Sequence, residues 1–395
     1  MAIQPALPET ANDITAAWLH EAIEAGGNAD FPAIRNIAVE QIGVGVGLAG
    51  KILRCHLTYD DDTPGGLETV IVKLPSTDRD TLRIAKRLDL YRREYDYYRH
   101  VAPHAPIRSP ALYYADFDDR SHHFVLVLED LKAMAAPDQV VGADVEQAKT
   151  AVRAIAKLHG HYWNQIDLLP PSFLQDPTRR KRVPMVKAVY QANLHRTFDR
   201  FGDGFPAPMR RLAEEFGKGF IEYIEVSAAG PITFGHGDYR LDNMFFGPDD
   251  SGDFAVVDWQ VCGISSGLSD VAYFLSSSVS TEIRRKLERE LVAEYHDIIS
   301  RMGAEGYTFE ECWRGYRRSA LACFLTPVIA CGQFDFSSQR SQQLAEVFLS
   351  RTLTAMADLD VAEFLPVRRR SFSFANLSAA FYSAAYRTTR AVRRK

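Results

Sequence analysis

The feature that most constrains the fold is a change in hydrophobic period along the chain. Apolar or aromatic side chains alternate with polar ones from Leu53 to Tyr59, and a second apolar run spans residues 69–74, which is the pattern of paired strands. Later apolar side chains recur at the helical period, in residues 145–163, 209–226, 282–302 and 309–331. Because a chain of 395 residues exceeds what one hydrophobic core normally serves, we expect an α+β protein with two lobes.

The predicted boundaries follow this change in period. Residues 1–128 should form a small N-terminal lobe with an antiparallel sheet and a helix, and residues 129–367 a larger, mainly helical C-terminal lobe. Residues 368–395 form a tail that carries eight of the 46 Lys and Arg residues and none of the 51 Asp and Glu residues. Since the tail also carries aromatic side chains, it could make weak contact with an anionic membrane surface or dock on the body, but a solvated tail is favoured.

Charge and composition exclude several classes of protein. The net charge is −5, and the chain without its basic tail is more acidic still, which argues against nonspecific nucleic-acid binding. The N-terminus lacks the features of a signal peptide and no apolar stretch is long enough to span a bilayer, so we expect a cytoplasmic protein. The five cysteines include no Cys-x-x-Cys pair, so neither a disulfide framework nor a zinc site is predicted.

A glycine-rich segment precedes the alternating strand, with glycines at Gly45, Gly47 and Gly50. A Rossmann site would need a helix directly after these glycines, whereas a strand follows here. A glycine-rich hairpin between two strands is the element that covers ATP phosphates in kinases. Taken alone, the segment is also compatible with a flexible turn.

Lys73 is the single basic residue in the apolar run of residues 69–74, and it would be costly in a buried strand without an anionic partner. Phosphate oxygens and Glu94, on a helix predicted over residues 84–101, could supply one. In kinases a strand lysine contacts the phosphates of ATP and is held by a glutamate of the neighbouring helix. The alternative is a solvent-facing lysine of an edge strand, which the preceding glycine-rich segment disfavours.

The strongest signal for chemistry is the loop from His236 to Asn243, followed by Asp258 in a short apolar strand. Asp238 and Asn243 are separated by four residues, as in the kinase pattern H-R-D-x-x-x-x-N. Phosphoryl transfer needs a carboxylate that orients the acceptor hydroxyl, which Asp238 can supply. It also needs oxygen ligands for the metal on the triphosphate, which Asn243 and Asp258 can supply. Each residue alone could simply form a turn, but their order downstream of Lys73 favours a functional role.

These motifs resemble those of the aminoglycoside phosphotransferase and choline kinase superfamily, and most of all its ecdysteroid kinase-like branch. The resemblance covers roughly residues 13–365. Its shared features are the segments 43–50, 69–74, 124–131, 154–159, 233–243, 257–260 and 267–270. It implies a two-lobed protein-kinase-like fold and the transfer of the γ-phosphoryl group of ATP, with Mg²⁺, to a hydroxyl of a small molecule.

The resemblance also implies a role for each matching residue. Asp238 would be the catalytic aspartate, with Arg240 near the γ-phosphate, and Asn243 and Asp258 would bind magnesium. Asp270 would brace the catalytic loop.

On the nucleotide side, the implied roles fall on the N-terminal lobe and its end. The glycines Gly45, Gly47 and Gly50 would cover the phosphates, which Lys73 would bind with Glu94 as its partner. The segment from Glu129 to Leu131 would be the hinge whose backbone pairs with adenine.

Two departures from the protein-kinase pattern bear on the acceptor. Gly237 replaces the arginine of H-R-D, and Trp259 and Gln260 follow Asp258 where Phe-Gly would stand. No activation segment ending in Ala-Pro-Glu follows, which disfavours a protein substrate. Small-molecule kinases of the superfamily share these departures.

The acceptor itself is predicted less directly. Residues 320–331 are apolar and poor in acids, whereas an aminoglycoside or choline site should present several carboxylates or an aromatic cage to a cation. We therefore expect a neutral or hydrophobic alcohol such as a sterol-like compound, unless that segment is simply core. The alternatives are an aminoglycoside or choline-type kinase, and a catalytically idle kinase fold that serves as a binding module.

Overall fold

The computed structural model describes residues 4–43, 50–60, 66–174, 179–202, 205–227, 230–248, 252–333 and 338–365. Gly45, Gly47 and the basic tail at residues 368–395 lie outside the described residues. The chain divides into two compact units. Unit 1 comprises residues 1–135, 169–173 and 245–262, and unit 2 comprises residues 136–168, 174–244 and 263–395.

The secondary structure follows the predicted change from strands to helices. The described strands are β1 (Asn36–Ile42), β2 (Gly50–Thr58), β3 (Thr69–Pro75), β4 (Leu112–Phe117), β5 (Phe124–Glu129), β6 (Thr233–Gly235), β7 (Met244–Phe246), β8 (Phe254–Val256) and β9 (Gly263–Ser265). The described helices are α1 (Ala16–Ala25), α2 (Arg79–Leu88), α3 (Leu90–Asp96), α4 (Val145–His161), α5 (Pro171–Leu174), α6 (Arg179–Phe201), α7 (Ala207–Lys218), α8 (Phe220–Ser227), α9 (Leu268–Ser277), α10 (Thr281–Arg301), α11 (Phe309–Ala322), α12 (Leu325–Gln333) and α13 (Gln339–Asp358). None of these described helices is both long enough and apolar enough to cross a membrane.

Unit 1 is built on a five-stranded antiparallel sheet in the order β1-β2-β3-β5-β4. The strands predicted over residues 53–59 and 69–74 are thereby confirmed. The middle strand is β3, and its register pairs Lys73 with Ile52 of β2 and with Leu126 of β5. Lys73 therefore lies on the central strand of the sheet, where a charged side chain is the most enclosed.

Helix α1 and the sheet share one hydrophobic core. The helix begins where the Thr15 hydroxyl accepts a hydrogen bond from the Trp18 amide at 3.1 Å, an N-cap that stabilises its first turn. Trp18 then meets Tyr114 of β4 edge to face, with ring centroids 6.3 Å apart. The buried side chains of α1 lie in one cluster with those of β2, β3 and β5. This core fixes the sheet that carries Lys73.

The helix predicted over residues 84–101 is divided at Asp89. That residue has a φ of +58°, in the left-handed region, which separates α2 from α3. Ile84, predicted on the apolar face, is 52% exposed, whereas Glu94 of α3 is 1% exposed. The break therefore gives α3 its own orientation and turns Glu94 into the interior of unit 1.

Unit 2 is mainly helical. The helices predicted over residues 145–163 and 282–302 are confirmed as α4 and α10, which pack against each other. Those predicted over 209–226 and 309–331 are each divided in two, and α6 and α13 were not predicted. The short strands β6 and β9 pair antiparallel at the start of the loop that carries Asp238.

Arg284 and Arg285 of α10 share one carboxylate but differ in burial. The guanidinium of Arg284, which is 1% exposed, donates to Glu288 at 2.8 Å and to Asp358 at the end of α13. The guanidinium of Arg285, whose side chain is 55% exposed, donates to Asp358 at 2.7 and 2.9 Å. Replacing each arginine in turn therefore compares the contribution of a buried ion pair to stability with that of an exposed one.

Replacing Arg284 by methionine should lower the free energy of unfolding by about 3–5 kcal/mol, because the largely buried Glu288 carboxylate loses its cation. Replacing Arg285 by methionine should cost much less, since exposed ion pairs contribute little. Chemical denaturation of both variants measures the difference. Equal losses would show that the burial of Arg284 does not determine the stability of this contact.

Candidate active site

Lys73 lies at the centre of a buried charge cluster in unit 1. Its Nζ donates to Glu94 Oε1 at 2.7 Å and to Asp258 Oδ1 at 3.1 Å, so the structure brings together three predicted site residues. Burial alone would lower the pKa of the Lys73 ammonium, but the carboxylates of Asp258 and Glu94 outweigh burial and raise that pKa. The lysine is therefore charged at neutral pH, as phosphate binding requires.

The position of Asp258 is fixed by Trp259, the residue that follows it. It comes just after β8 with a φ of +65°, which non-glycine residues adopt seldom and aspartate more readily than most. Trp259 is fully buried, donates from Nε1 to the Val256 carbonyl at 3.1 Å and stacks on Tyr97 with ring centroids 3.8 Å apart. Trp259 is thus a core residue that anchors the turn, while the Asp258 side chain stays 36% exposed.

Gly50, the one predicted phosphate-loop glycine among the described residues, begins β2. A Cβ atom at this position would lie 2.8 Å from the carbonyl oxygen of Leu74 and 3.7 Å from Cε of Lys73. Only glycine permits so close an approach of two backbones. The start of β2 therefore lies close to the Lys73 side chain. Contact between Gly50 and phosphates stays a prediction.

The predicted hinge, Glu129 to Leu131, already has several internal partners. The Glu129 carboxylate accepts hydrogen bonds from Arg108 at 2.7 Å and from the Ala111 amide at 3.0 Å. The Glu129 amide donates to the Ala111 carbonyl, and the Leu131 carbonyl accepts from the Met134 amide. These contacts fix the end of β5, and adenine pairing at the hinge stays a prediction.

In unit 2, one buried carboxylate holds the start of the candidate catalytic loop. Asp270 of α9 is 2% exposed and accepts from the His236 amide at 2.7 Å and from the Gly237 amide at 2.8 Å. Its Oδ2 also lies 3.2 Å from Nε2 of the buried His159, whose Nδ1 lies 3.1 Å from the Tyr295 hydroxyl. Burial would raise the pKa of the Asp270 carboxyl, but the hydrogen bond with His159, aided by His236 and the Gly237 amide, lowers it.

The backbone at Gly237 explains the departure from the H-R-D pattern. Its φ is +83°, in the left-handed region where a side chain would clash with the backbone. This conformation allows two successive amides, of His236 and Gly237, to point at the same carboxylate of Asp270. The brace therefore favours glycine at this position.

The loop brings three further predicted site residues together. The Asn243 side-chain amide donates to the Asp238 carbonyl at 2.9 Å and to Asp238 Oδ2 at 3.1 Å. Arg240 Nε lies 3.4 Å from the same Oδ2, and its Nη1 donates to Asp242. The Asp238 side chain remains 29% exposed. The loop thus presents an oriented, accessible carboxylate.

The side chains available for a metal fit Mg²⁺ chemistry. Because the amide nitrogen of Asn243 is engaged with Asp238, its amide oxygen is left as an acceptor. Asp258 offers a carboxylate that is partly exposed and only partly neutralised by Lys73. Amide and carboxylate oxygens are the ligands that Mg²⁺ prefers, usually completed by phosphate oxygens and water.

Two residues that carry no sequence signal support the loop from behind. The Gln139 Oε1 accepts from the Asp242 amide at 3.2 Å, and the Ser278 hydroxyl oxygen accepts from the Leu241 amide at 3.0 Å. Gln139 also donates to Ser278 and to the Ser277 carbonyl. All of these groups lie in unit 2, and they fix the backbone between Asp238 and Asn243.

Arg351 of α13 in turn holds this support in place. It is 9% exposed, and its guanidinium donates only to backbone carbonyls among the described residues. The carbonyls belong to Gln139 (2.8 Å), Ser277 (3.2 Å), Val140 (2.8 Å) and Val141 (2.9 Å). An arginine that binds carbonyls has no sequence signature, because the partners belong to the fold rather than to a motif.

The fold and these two clusters define a kinase-like small-molecule phosphotransferase. The sequence matches the ecdysteroid kinase-like family over residues 45–303. Because this match covers more than half of the chain, the protein belongs to that family. A search of curated proteins finds no match.

Several solved structures are similar to the chain at low sequence identity. A Ralstonia eutropha protein assigned as an aminoglycoside phosphotransferase is 16% identical with a TM-score of 0.51, over 86% of this chain and 98% of that one. Plasmodium vivax ethanolamine kinase is 12% identical with a TM-score of 0.42, over 83% and 82%. An amicoumacin kinase in complex with AMP-PNP, Ca²⁺ and Ami is 12% identical with a TM-score of 0.48, over 86% and 91%. The first likeness confirms the predicted α+β kinase-like fold.

Replacing Gly237 by alanine should destabilise the loop by about 1–2 kcal/mol, because alanine is strained at a positive φ. Hydrogen exchange of the backbone amides of residues 236–243 should therefore become faster. Gly219→Ala is the matched control, since φ there is −92° and a Cβ would meet only the Glu215 carbonyl oxygen, at 3.6 Å. Unchanged exchange in Gly237→Ala would contradict the brace described for Asp270.

Proposed function

We propose that the protein transfers the γ-phosphoryl group of ATP to a hydroxyl group of a small molecule. The observation that carries this proposal is the buried cluster of Lys73, Glu94 and Asp258. A cation on a central strand is costly to bury, and such clusters of ionised groups are commonly retained for function. In this proposal the nucleotide is bound by the N-terminal lobe, residues 1–128, and the acceptor by the C-terminal lobe, residues 129–367.

Each residue of the catalytic loop has a defined task in this reaction. Asp238 orients the acceptor hydroxyl and accepts its proton as the oxygen attacks the γ-phosphorus in line, without a phosphoenzyme. The bond between the γ-phosphorus and the bridging oxygen breaks, and ADP leaves with that oxygen. Asn243 fixes the Asp238 carboxylate through its amide nitrogen, at 3.1 Å. Arg240, with a side chain 16% exposed, adds positive charge for the γ-phosphate. The proposal thus assigns proton transfer and charge stabilisation to different side chains.

The nucleotide and its metal are assigned to the remaining residues. Lys73 contacts the phosphates and is held by Glu94, the glycines Gly45, Gly47 and Gly50 cover them, and the hinge from Glu129 to Leu131 pairs with adenine. Asn243 and Asp258 would hold Mg²⁺, which neutralises the charge of the phosphates.

The proposed acceptor is a neutral, hydroxylated compound of steroid-like character. The description of the family as ecdysteroid kinase-like supports this choice. The apolar segment at residues 320–331 does not, because Leu321, Phe324, Val328 and Cys331 are almost completely buried and serve the core. A panel of purified alcohols tests the assignment, and turnover restricted to polycationic aminoglycosides would contradict it.

Replacing Asp238 by asparagine should abolish phosphoryl transfer, lowering kcat by at least about 100-fold, because the acceptor hydroxyl loses its base. Binding of Mg·ATP should be almost unchanged, since Asn retains the size and polarity of the side chain. ADP release with an alcohol panel and titration calorimetry with Mg·ATP measure the two effects. An unchanged kcat would refute the assignment.

Two further variants separate the roles. Lys73→Ala should weaken nucleotide binding or misalign the phosphates, whereas Asp238→Asn should not affect binding. Asp167→Asn is the control, because Asp167 is exposed and belongs to neither cluster. If Asp167→Asn lost turnover as Asp238→Asn does, the loss could not be attributed to the catalytic loop.

A further inference from the structure

A cavity of about 320 Å³ lies within unit 2, and none of the predicted site residues lines it. Its wall includes Arg314 and Arg318 of α11, Ser266 and Ser269 at the start of α9, and the Tyr307 side chain. This volume is at the lower end of the range found for small-molecule sites. The cavity therefore can hold a small metabolite.

The two arginines are unusual because neither has an acidic partner. Among the described residues, no carboxylate lies within ion-pair distance of Arg314 or Arg318. They stand four residues apart on one helical face, an arrangement in which like charges repel. By contrast Arg317, on the same helix, donates to Glu363 at 3.0 and 3.3 Å. The Arg318 guanidinium lies over the Phe364 ring, 5.4 Å from its centroid, so α11 has two arginines without an acidic partner in the wall of one cavity.

Glu311 is the one acid among the residues that line the cavity. Its Oε2 accepts from the Thr308 amide at 2.8 Å and from the Thr308 hydroxyl at 2.7 Å, which ties the carboxylate to the start of α11.

The start of α9 adds further attraction for an anion. The helix begins at Leu268 after Gly267 without a side-chain cap. The Ser269 and Asp270 amides donate to the Ser266 and Gly267 carbonyls, so the positive end of the helix dipole, and not a set of free amides, lies beside Ser266 and Ser269. Helix α11 packs closely on this turn, since a Cβ at Gly315 would lie 2.6 Å from Leu268 Cδ1. The arginines and the helix start are therefore held next to one another by tight packing.

We propose that this cavity binds a small molecule bearing a phosphate group. Two guanidinium groups, serine hydroxyls and a helix start match the several acceptor oxygens of a tetrahedral dianion better than the two oxygens of a carboxylate. The ligand contacts the first turn of α9, which also carries Asp270, the acceptor for the candidate catalytic loop. The proposal does not depend on the assignment of the phosphoryl acceptor.

Titration calorimetry of the full chain with inorganic phosphate, at constant ionic strength, tests this site. The double variant Arg314→Met with Arg318→Met should bind phosphate at least about tenfold more weakly, because it loses charge-assisted hydrogen bonds. Arg314→Met alone, an exposed position whose loss should not disturb folding, should weaken binding several-fold. Circular dichroism of each variant verifies its fold.

Two controls make the outcome decisive. Arg211→Met removes an exposed arginine outside the cavity and should bind phosphate as the wild type does. Acetate should bind more weakly than phosphate. The proposal is overturned if the double variant binds phosphate normally, if Arg211→Met causes the same loss, or if acetate binds as tightly as phosphate.

Discussion

The carboxylate of Asp270 is the acceptor on which the geometry of the candidate catalytic loop depends. It receives two successive backbone amides, of His236 and Gly237, and its Oδ2 lies 3.2 Å from Nε2 of His159. Because all of these groups are enclosed, losing one partner would leave a polar atom unsatisfied, and the loop has one favourable conformation. Ser278 and Gln139 accept hydrogen bonds from the Leu241 and Asp242 amides further along, so the backbone is held on both sides of Asp238.

In unit 1, a second set of buried polar groups surrounds Lys73. A charged lysine between two carboxylates would be a poor choice if stability were the only requirement, because desolvation offsets much of the attraction within the cluster. The arrangement makes sense if an anionic ligand shares the lysine. The left-handed turn at Asp258, anchored by the buried Trp259, adds a second local cost that functional sites commonly retain.

Contacts that depend on residue type and order could be predicted from the sequence. Lys73 needed an anionic partner, and Glu94 was the acid near the apolar face of the next helix, which the structure places at 2.7 Å. The division of that helix at Asp89 was not predictable, because it depends on a single backbone conformation. Arg351 was equally beyond prediction, since its partners are carbonyls that only the tertiary fold assembles.

The central claim is that this chain moves the γ-phosphoryl group of ATP to a small molecule. The most direct measurement is incubation of the protein with a metabolite extract and ATP labelled with heavy oxygen in the γ-phosphoryl group, followed by mass spectrometry. The account predicts one labelled phosphoryl group on a hydroxylated metabolite, absent when Asp238 is replaced by asparagine. Label found only in inorganic phosphate or on the protein itself, or an adduct that persists in the Asp238→Asn variant, would contradict it.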